Sequence, residues 1–373
     1  MFPDPARRAV SDGSDLTPLM ATHPTFGVEE EFLLVDPDTG EPAPRNRAVA
    51  EQAEKRDVEL QLELTSCQVE TTSSVASSSD DLRSELERLR RVAAESAAAA
   101  GARLLAVSLP PTVPHEFPIT DKPRYQAIAE RFGMIAHEQG ISGCHVHVAV
   151  PDRATAVRVS NRLRPWLPSL LALSANSAIY RGADTGYASW RSVLWARWPS
   201  AGPPPHFDSL DDYDGCVQMM LDAGAMLDDG MVYWDVRPSA NYPTVEVRVA
   251  DVPATVGDTM LLATLIRALV TTALDEDDRG EPFDVPTAHV LRAAYWRAAR
   301  YGLDGATPQL EELIDRVTPA LRAVGDEALV SSEFERVLAE GNGAARQQRA
   351  WARRNDVGDV IEDVAAATLS GVH

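Results

Sequence analysis

The amino-acid sequence predicts an α+β protein in which a few strands, paired antiparallel, are backed by helices and the C-terminal third is helical. Three observations carry that reading. Two runs alternate strictly between apolar and polar residues, Cys144 to Val150 (CHVHVAV) and Thr244 to Val249 (TVEVRV), the period of a strand buried on one face. Elsewhere the spacing is helical, as in the stripe Leu82, Leu86, Leu89 and Ala93. From Asp258 onward every segment reads as helix. No internal repeat, low-complexity tract or linker divides the 373 residues. Residues 21–373 are therefore expected to form a single domain behind a flexible lead, residues 1–20.

Taken in order, Thr25 to Val35 (TFGVEEEFLLV) reads as a strand that ends at the turn Asp36-Pro-Asp-Thr-Gly40. Val58 to Leu64 alternates, with Val58, Leu60, Leu62 and Leu64 on one face. Asp80 to Ala100 is a helix that Ser78 can cap and Gly101 stops. Ala102 to Leu109 reads as a short buried strand before Pro110-Pro111. A further helix follows Pro123, with Ile128, Phe132 and Ile135 in phase. Residues 153–180 are mostly helical, interrupted at Pro165 and Pro168. Residues 181–206, rich in Gly, Pro and aromatics, read as a long irregular loop and a candidate lid.

Composition narrows the function. Basic residues number 35 and acidic ones 56, a net charge of −21, which argues against nucleic acid and anionic membranes as partners. Lysine occurs only as Lys55 and Lys122, and neither GxxxxGK[ST] nor GxGxxG is present, so the common nucleotide-binding loops are excluded. Cys67, Cys144 and Cys216 are scattered and odd in number, as in a reducing compartment. Residues 1–20 lack the apolar core of a signal peptide. The longest apolar run, Met260 to Leu274, contains Arg267 and is too short to span a bilayer. A soluble, cytoplasmic protein is expected.

Chemistry concentrates on strand faces. By the two-residue period Glu29 and Glu31 share one face, His145 and His147 another, and Glu246 and Arg248 a third. Glu63 and Glu70 have opposite parity, so a break near Thr65-Ser66 is needed if both point inward. A half-buried strand with a solvated face would explain any one of these. Solvated faces usually mix Lys, Thr and Ser, however, whereas these carry Glu, His and Arg. Carboxylates converging on one face repel, and a divalent cation is their natural neutraliser. Oxygen donors with imidazole suit Mg²⁺ or Mn²⁺ rather than structural Zn²⁺. If ATP is used, metals held by carboxylates must grip its phosphates. A metal-dependent hydrolase built on His145 and His147 is the alternative; it would want more strand-end histidines, and His206, His289 and His373 stand in loop or helix contexts.

At Thr25–Val35, Glu63–Thr72, Gly143–Val150, Leu170–Arg191, Tyr233–Arg248 and Gly341–Arg349 the sequence resembles the second type of glutamate–cysteine ligase, the bacterial carboxylate–amine ligases. The segments GVEEEFLL, QVE, GCHVHV, LLALSANS, DTGYASWR, YWDVRPS and TVEVRVAD carry the resemblance in combination, and it covers nearly the whole chain from about residue 20. It implies a glutamine synthetase-like fold, whose curved antiparallel sheet forms a funnel-shaped site. It further implies ATP-dependent joining of a carboxylate (by default the γ-carboxylate of glutamate) to an amine (by default cysteine) through an acyl phosphate, releasing ADP and phosphate. The cofactors implied are ATP and Mg²⁺ or Mn²⁺, and the partners are these small molecules, with a homo-oligomer left open. Carried over by motif, Glu29, Glu31, Glu70, His145 and Glu246 resemble metal ligands, Arg248 resembles the arginine beside the phosphates, and Glu63 belongs to the same catalytic motif. Arg191 and Arg237 suit carboxylate clamps by their chemistry. Tyr187, Trp190 and Trp195 are read as packing. The chain departs from the usual pattern at Ala106-Val-Ser-Leu-Pro110, where many relatives have Gly-Thr-His-Pro, and at Ala178, where they have proline.

Overall fold

Three consecutive glutamates, Glu29 to Glu31, lie in the middle of strand β1 (Phe26–Val35), and strand geometry must send them to opposite faces. The computed structural model describes residues 23–112, 117–138 and 140–372; the expected lead, residues 1–20, and His373 lie outside them. The other strands are β2 (Gln61–Leu62), β3 (Gln68–Thr72), β4 (Arg103–Leu105), β5 (Gly143–Ala149), the hairpin β6 (Ile179–Tyr180) and β7 (Ala183–Asp184), then β8 (Val236–Pro238) and β9 (Thr244–Asp251). Among the described residues, one sheet of seven strands runs β2-β3-β1-β5-β9-β8, with β4 beside β1. Its pairings are antiparallel throughout.

One face of the sheet is apolar. Phe26, Val28, Val146, Val148, Val245 and Val247 pack there with the helices Arg153–Leu163, Leu167–Ser174 and Val256–Asp278. The last of these carries the apolar run Met260 to Leu274. It is 23 residues long, enough by length and composition to cross a membrane, contrary to the expectation from the run alone. Its apolar window is 83% buried inside the protein, so its hydrophobicity is spent on the core. On the opposite face, Leu33 and Val35 at the far end of β1 meet Val360, Ile361 and Val364 of the C-terminal helices. A separate apolar cluster around Ile128, Trp198, Phe207, Met231 and Trp234 holds the helices Pro123–Phe132 and Leu210–Asp222 together.

Several expectations need correction. Of Val58 to Leu64 only Gln61–Leu62 pairs as a strand, although Val58 and Leu60 are buried as the alternation implies. Of Ala102 to Leu109 only Arg103–Leu105 pairs. Beyond it the backbone is satisfied otherwise, with Ala106 N–H donating to Thr368 Oγ1 and Ser108 N–H to the Asn176 carbonyl. The helix after Pro123 ends at Phe132, because Gly133 takes a positive φ, and Ile135 lies in a separate turn, Met134–His137. Residues 181–206 are not a free loop. They contain β7 and the helix Trp190–Trp195, capped by Ser189, whose hydroxyl also donates to Asp251 at 2.9 Å.

Glu30, the middle glutamate, points into the core. It is fully buried and holds Arg90, also fully buried, through Arg90 Nε at 3.0 Å and Nη2 at 2.6 Å. Arg90 donates further to the carbonyls of Pro253 and Ala254 at 2.9 and 3.1 Å, and Thr259 Oγ1 donates to Glu30 at 2.6 Å. Removing one partner of such a pair leaves a buried charge uncompensated. Arg90→Leu is therefore expected to cost about 3–5 kcal/mol of stability by urea unfolding. Adding Glu30→Gln should recover part of that loss, and a single-variant cost near zero would show that the pair carries no such burden.

Candidate active site

The polar face of the sheet is built by register. In the β1–β5 pairing Glu29 stands opposite His145 and Gly27 opposite His147; in the β1–β3 pairing Glu31 stands opposite Glu70; and His147 faces Glu246 across β5–β9. Between β2 and β3 the chain turns at residues 63–67, which is the break the parity of Glu63 and Glu70 demands. All of the sequence-derived candidates, Glu29, Glu31, Glu63, Glu70, His145, Arg191, Arg237, Glu246 and Arg248, line one cavity of about 290 Å³.

Donor atoms converge in three overlapping groups: Glu29, Glu70 and His145; Glu29, His147 and Glu246; and Glu31, Glu63 and Glu70. Within each group one ligand atom per residue lies within 4.8 Å of the others. His145 Nδ1 is 3.1 Å from Glu29 Oε2 and 3.3 Å from Arg248 Nη1, and its Nε2 is 3.8 Å from Glu31. Burial and the Arg248 charge bring His145 down to about 4, so the ring is neutral and keeps a lone pair for a cation. His147 Nδ1 is 3.0 Å from Thr244 Oγ1, while its buried Nε2 lies 3.5 Å from Glu29 Oε1 and makes no closer polar contact. Such an imidazole nitrogen beside carboxylates fits a divalent cation, and the oxygen-rich donor set fits Mg²⁺ or Mn²⁺.

The carboxylates divide electrostatically. Burial, reinforced by Glu63, pushes Glu31 up to about 8, against the pull of a 2.6 Å hydrogen bond from Gly143 N–H. Burial also raises Glu63, and burial with the charges of Glu63, Glu29 and Glu31 raises Glu70 well above the carboxylate range. On the other side, burial opposes the ionisation of Glu29, yet hydrogen bonds and charge from His145 and His147 outweigh it and hold the group low. Glu246 is likewise buried, and Arg248 and Arg237 together keep it well below its ordinary value. Arg237 Nε lies 2.9 Å from Glu246 Oε2 and Arg248 Nη1 pairs with Oε1. A cation at the Glu29–His147–Glu246 group would compete with both guanidinium groups.

Arg191 is placed differently from a free clamp. Between the pairs Val146–Val247 and Cys144–Ala250 the register slips, so Arg248 and Val249 together oppose His145 in a β-bulge. Arg191 donates to both bulge carbonyls at 3.3 Å and lies 3.9 Å from Asp251; its buried Nε is without a partner. Gly143 makes room for it, since a Cβ there would lie 2.7 Å from Arg191 Nη2. Cys67 and Cys144 are fully buried and their thiols are raised by burial, Cys67 to about 11, as fits packing residues.

Sequence reasoning put His147 on the correct face but assigned it to the rival hydrolase. It did not find Gln68, Arg124, Tyr125, Trp198 or Tyr233, which also line the cavity, and it read Trp195 as packing alone. Most of these come from turns and helices brought in by tertiary packing, where no period marks them.

An antiparallel sheet with an acidic, arginine-flanked cavity on its polar face fits a carboxylate–amine ligase, and the family match bears that class out. The chain belongs to glutamate–cysteine ligase family 2, whose model matches residues 25–364. It is 64% identical over 364 residues to a protein of Mycobacterium sp. (strain KMS) that carries the provisional name glutamate–cysteine ligase 2-2, covering 94% of this chain and 100% of that one. A Salinispora arenicola (strain CNS-205) relative, provisionally named glutamate–cysteine ligase 2, is 46% identical over 375 residues, covering 97% and 98%. Among solved structures, the glutamate–cysteine ligase of Francisella tularensis in complex with AMP superposes with a TM-score of 0.68 at 15% identity, covering 94% of this chain and 89% of that one. The bifunctional glutathione synthetase of Pasteurella multocida gives 0.69 at 15% identity; the match takes in 94% of this chain but only 53% of that protein.

Because Glu31, pushed up to about 8, holds a proton that a cation must displace, and Glu70 is shifted in the same direction, Mg²⁺ binding at pH 7 is expected to release protons, and the release should shrink as the pH rises through about 8. Calorimetric titration in buffers of different ionisation heat measures this; heat independent of buffer would refute it. Glu70→Gln should weaken Mg²⁺ binding by at least the roughly tenfold that loss of an outer-shell partner costs. The same change should leave the metal-free melting temperature unchanged or raised, since it removes a repelling buried carboxyl.

Proposed function

We propose that this chain joins a carboxylate to an amine at the expense of ATP, passing through an acyl phosphate and releasing ADP and phosphate. Glutamate, through its γ-carboxylate, and cysteine are the substrate pair proposed, on the strength of the names its relatives carry. The observation that supports the reading best is the single cavity holding Glu29, Glu31, Glu63, Glu70, Glu246, His145 and His147 beside Arg237 and Arg248. A ligase of this kind must place a polyanionic phosphate chain against acids, which only bridging cations permit. Mg²⁺ or Mn²⁺, held by Glu29, Glu31, Glu70, His145 and Glu246 with His147 and Glu63 adjoining, would supply that charge.

The chain's own residues do the rest. Arg248 Nε is buried without a partner, so this guanidinium retains a donor for a phosphate oxygen after its Nη1 is engaged by Glu246. Arg237 and Arg191 are proposed as substrate-carboxylate contacts, Arg191 through the Nε that the bulge carbonyls leave free. The Francisella glutamate–cysteine ligase is named as a complex with AMP, which supports a nucleotide as one ligand of this fold. A small-molecule enzyme of the cytoplasm, acting on neither nucleic acid nor membrane, is the setting proposed. The hydrolase alternative finds no support in the family, and among the described residues His206 and His289 do not line the cavity.

Two measurements test this. Turnover should require Mg²⁺ or Mn²⁺ and yield ADP and phosphate in step with product; AMP and pyrophosphate in stoichiometric amounts would overturn the mechanism. Arg248→Lys should lower kcat by roughly a hundredfold, the loss of about 3 kcal/mol typical of a transition-state donor, with little change in melting temperature. If kcat is kept while the melting temperature falls, Arg248 is a structural partner of Glu246 and nothing more.

A further inference from the structure

Behind the active-site cavity lies a second one, of about 430 Å³, on the other side of Arg191 and Trp195, which line both. It is roofed by the helices Trp190–Trp195 and Ala288–Tyr301 and floored by Asp235 and Val249. Its walls are apolar or aromatic, chiefly Val193, Trp195, Trp296 and Ala299, with Val193 and Trp296 36% and 52% exposed at the surface. The polar groups inside are few. Asp235 is 4% exposed, and the hydroxyl of Tyr295 approaches it yet is buried without a hydrogen bond of good geometry.

The charges decide what such a cavity would take. Of the guanidinium groups that favour ionised Asp235, Arg248 is paired with Glu246, while Arg191, which lines the cavity, gives its Nη atoms to the bulge carbonyls, lies 3.9 Å from Asp251 and keeps only its Nε unpartnered. Arg164 lies near Tyr295, with a buried Nη1 lacking a partner, but it donates to the Pro204 carbonyl and does not line the cavity. Arg292 stands exposed on the rim. Burial pushes the Asp235 carboxyl up to about 6, so it is an anion at neutral pH. A buried carboxylate without a cation is costly, and it is stabilised most by a cation that brings its own apolar covering. Trp195, over whose ring the Arg191 guanidinium already lies at 5.7 Å from the centroid, and Trp296 supply apolar surface for that covering.

We propose that this second cavity is a binding site for a small primary ammonium compound with an apolar body, whose nitrogen meets Asp235 and Tyr295 and whose carbon chain lies between Trp195 and Trp296. The site is separate from the ligase reaction and does not depend on that reading.

Calorimetric titration of the full chain with isoamylamine, in saturating Mg²⁺ to occupy the acidic cavity, tests it against isoamyl alcohol, the uncharged isostere. Saturable binding of the amine is expected, with the alcohol at least about tenfold weaker, as loss of a charge-assisted hydrogen bond implies. Asp235→Asn should weaken the amine by a similar factor. Val193→Trp, which fills the mouth from an exposed helix position and touches neither Asp235 nor the first cavity, should abolish binding while the melting temperature is kept. No saturable binding, equal binding of the alcohol, or full binding by V193W would each overturn the proposal. If D235N fails to fold, the Val193→Trp and alcohol comparisons decide alone.

Discussion

Alternation along β1 governs the rest of this molecule. Glu29 and Glu31 must point one way and Glu30 the other, and each direction poses a problem that distant parts of the chain solve. The core side needs a cation for Glu30. Arg90 provides it from the helix Ser79–Ala99 and also ties down the carbonyls of Pro253, Ala254 and Thr368. A single buried ion pair thereby joins β1, the start of the helix Val256–Asp278 and the C-terminal helix. The other side collects carboxylates from β1, from β3, from β9 and from the turn before β3, with imidazoles from β5 and arginines from β8 and β9.

That collection separates into two halves. Glu31, Glu63 and Glu70 are crowded acids that burial shifts toward the neutral form, whereas Glu29 and Glu246 are anions held by histidine and arginine. Glu29 and Glu70 each belong to two of the three donor groups, so neighbouring cations would share ligands rather than occupy independent sites. Shared carboxylates are what a phosphate chain bridged by more than one ion requires, since the ions must lie close together. Cations arriving there would favour the charged form that burial disfavours, Glu31 foremost.

Much of this was legible in the sequence because period-two strands fix faces without tertiary information. Glu29 with Glu31, His145 with His147, and Glu246 with Arg248 follow from parity alone, and the parity clash of Glu63 and Glu70 correctly required a break. The sequence did not reveal Glu30's partner, because Arg90 sits in a helix stripe where an arginine reads as solvent-facing. It also overextended the strands at Val58 to Leu64 and Ala102 to Leu109. Burial alternates or persists there, but the hydrogen bonds come from turns and helices instead of a neighbouring strand. Residues 181–206 looked irregular because their order depends on Asp251, Ser177 and Ser189, contacts distant in sequence.

The same anchoring explains how Arg191 enters the site. The bulge at Arg248–Val249 lets Arg248 stay on the polar face while β9 gains a residue, and it leaves two carbonyls for Arg191 to satisfy. Gly143 is the space that lets the guanidinium approach, and Asp251 balances its charge. A lysine could reach one of those carbonyls but not both, and a larger residue at position 143 would evict the side chain. Arg191 is therefore first a brace for the bulge that orients Arg248, and only through its remaining Nε could it touch a ligand. The wall it forms with Trp195 divides the two cavities, so the backbone irregularity of one strand shapes both.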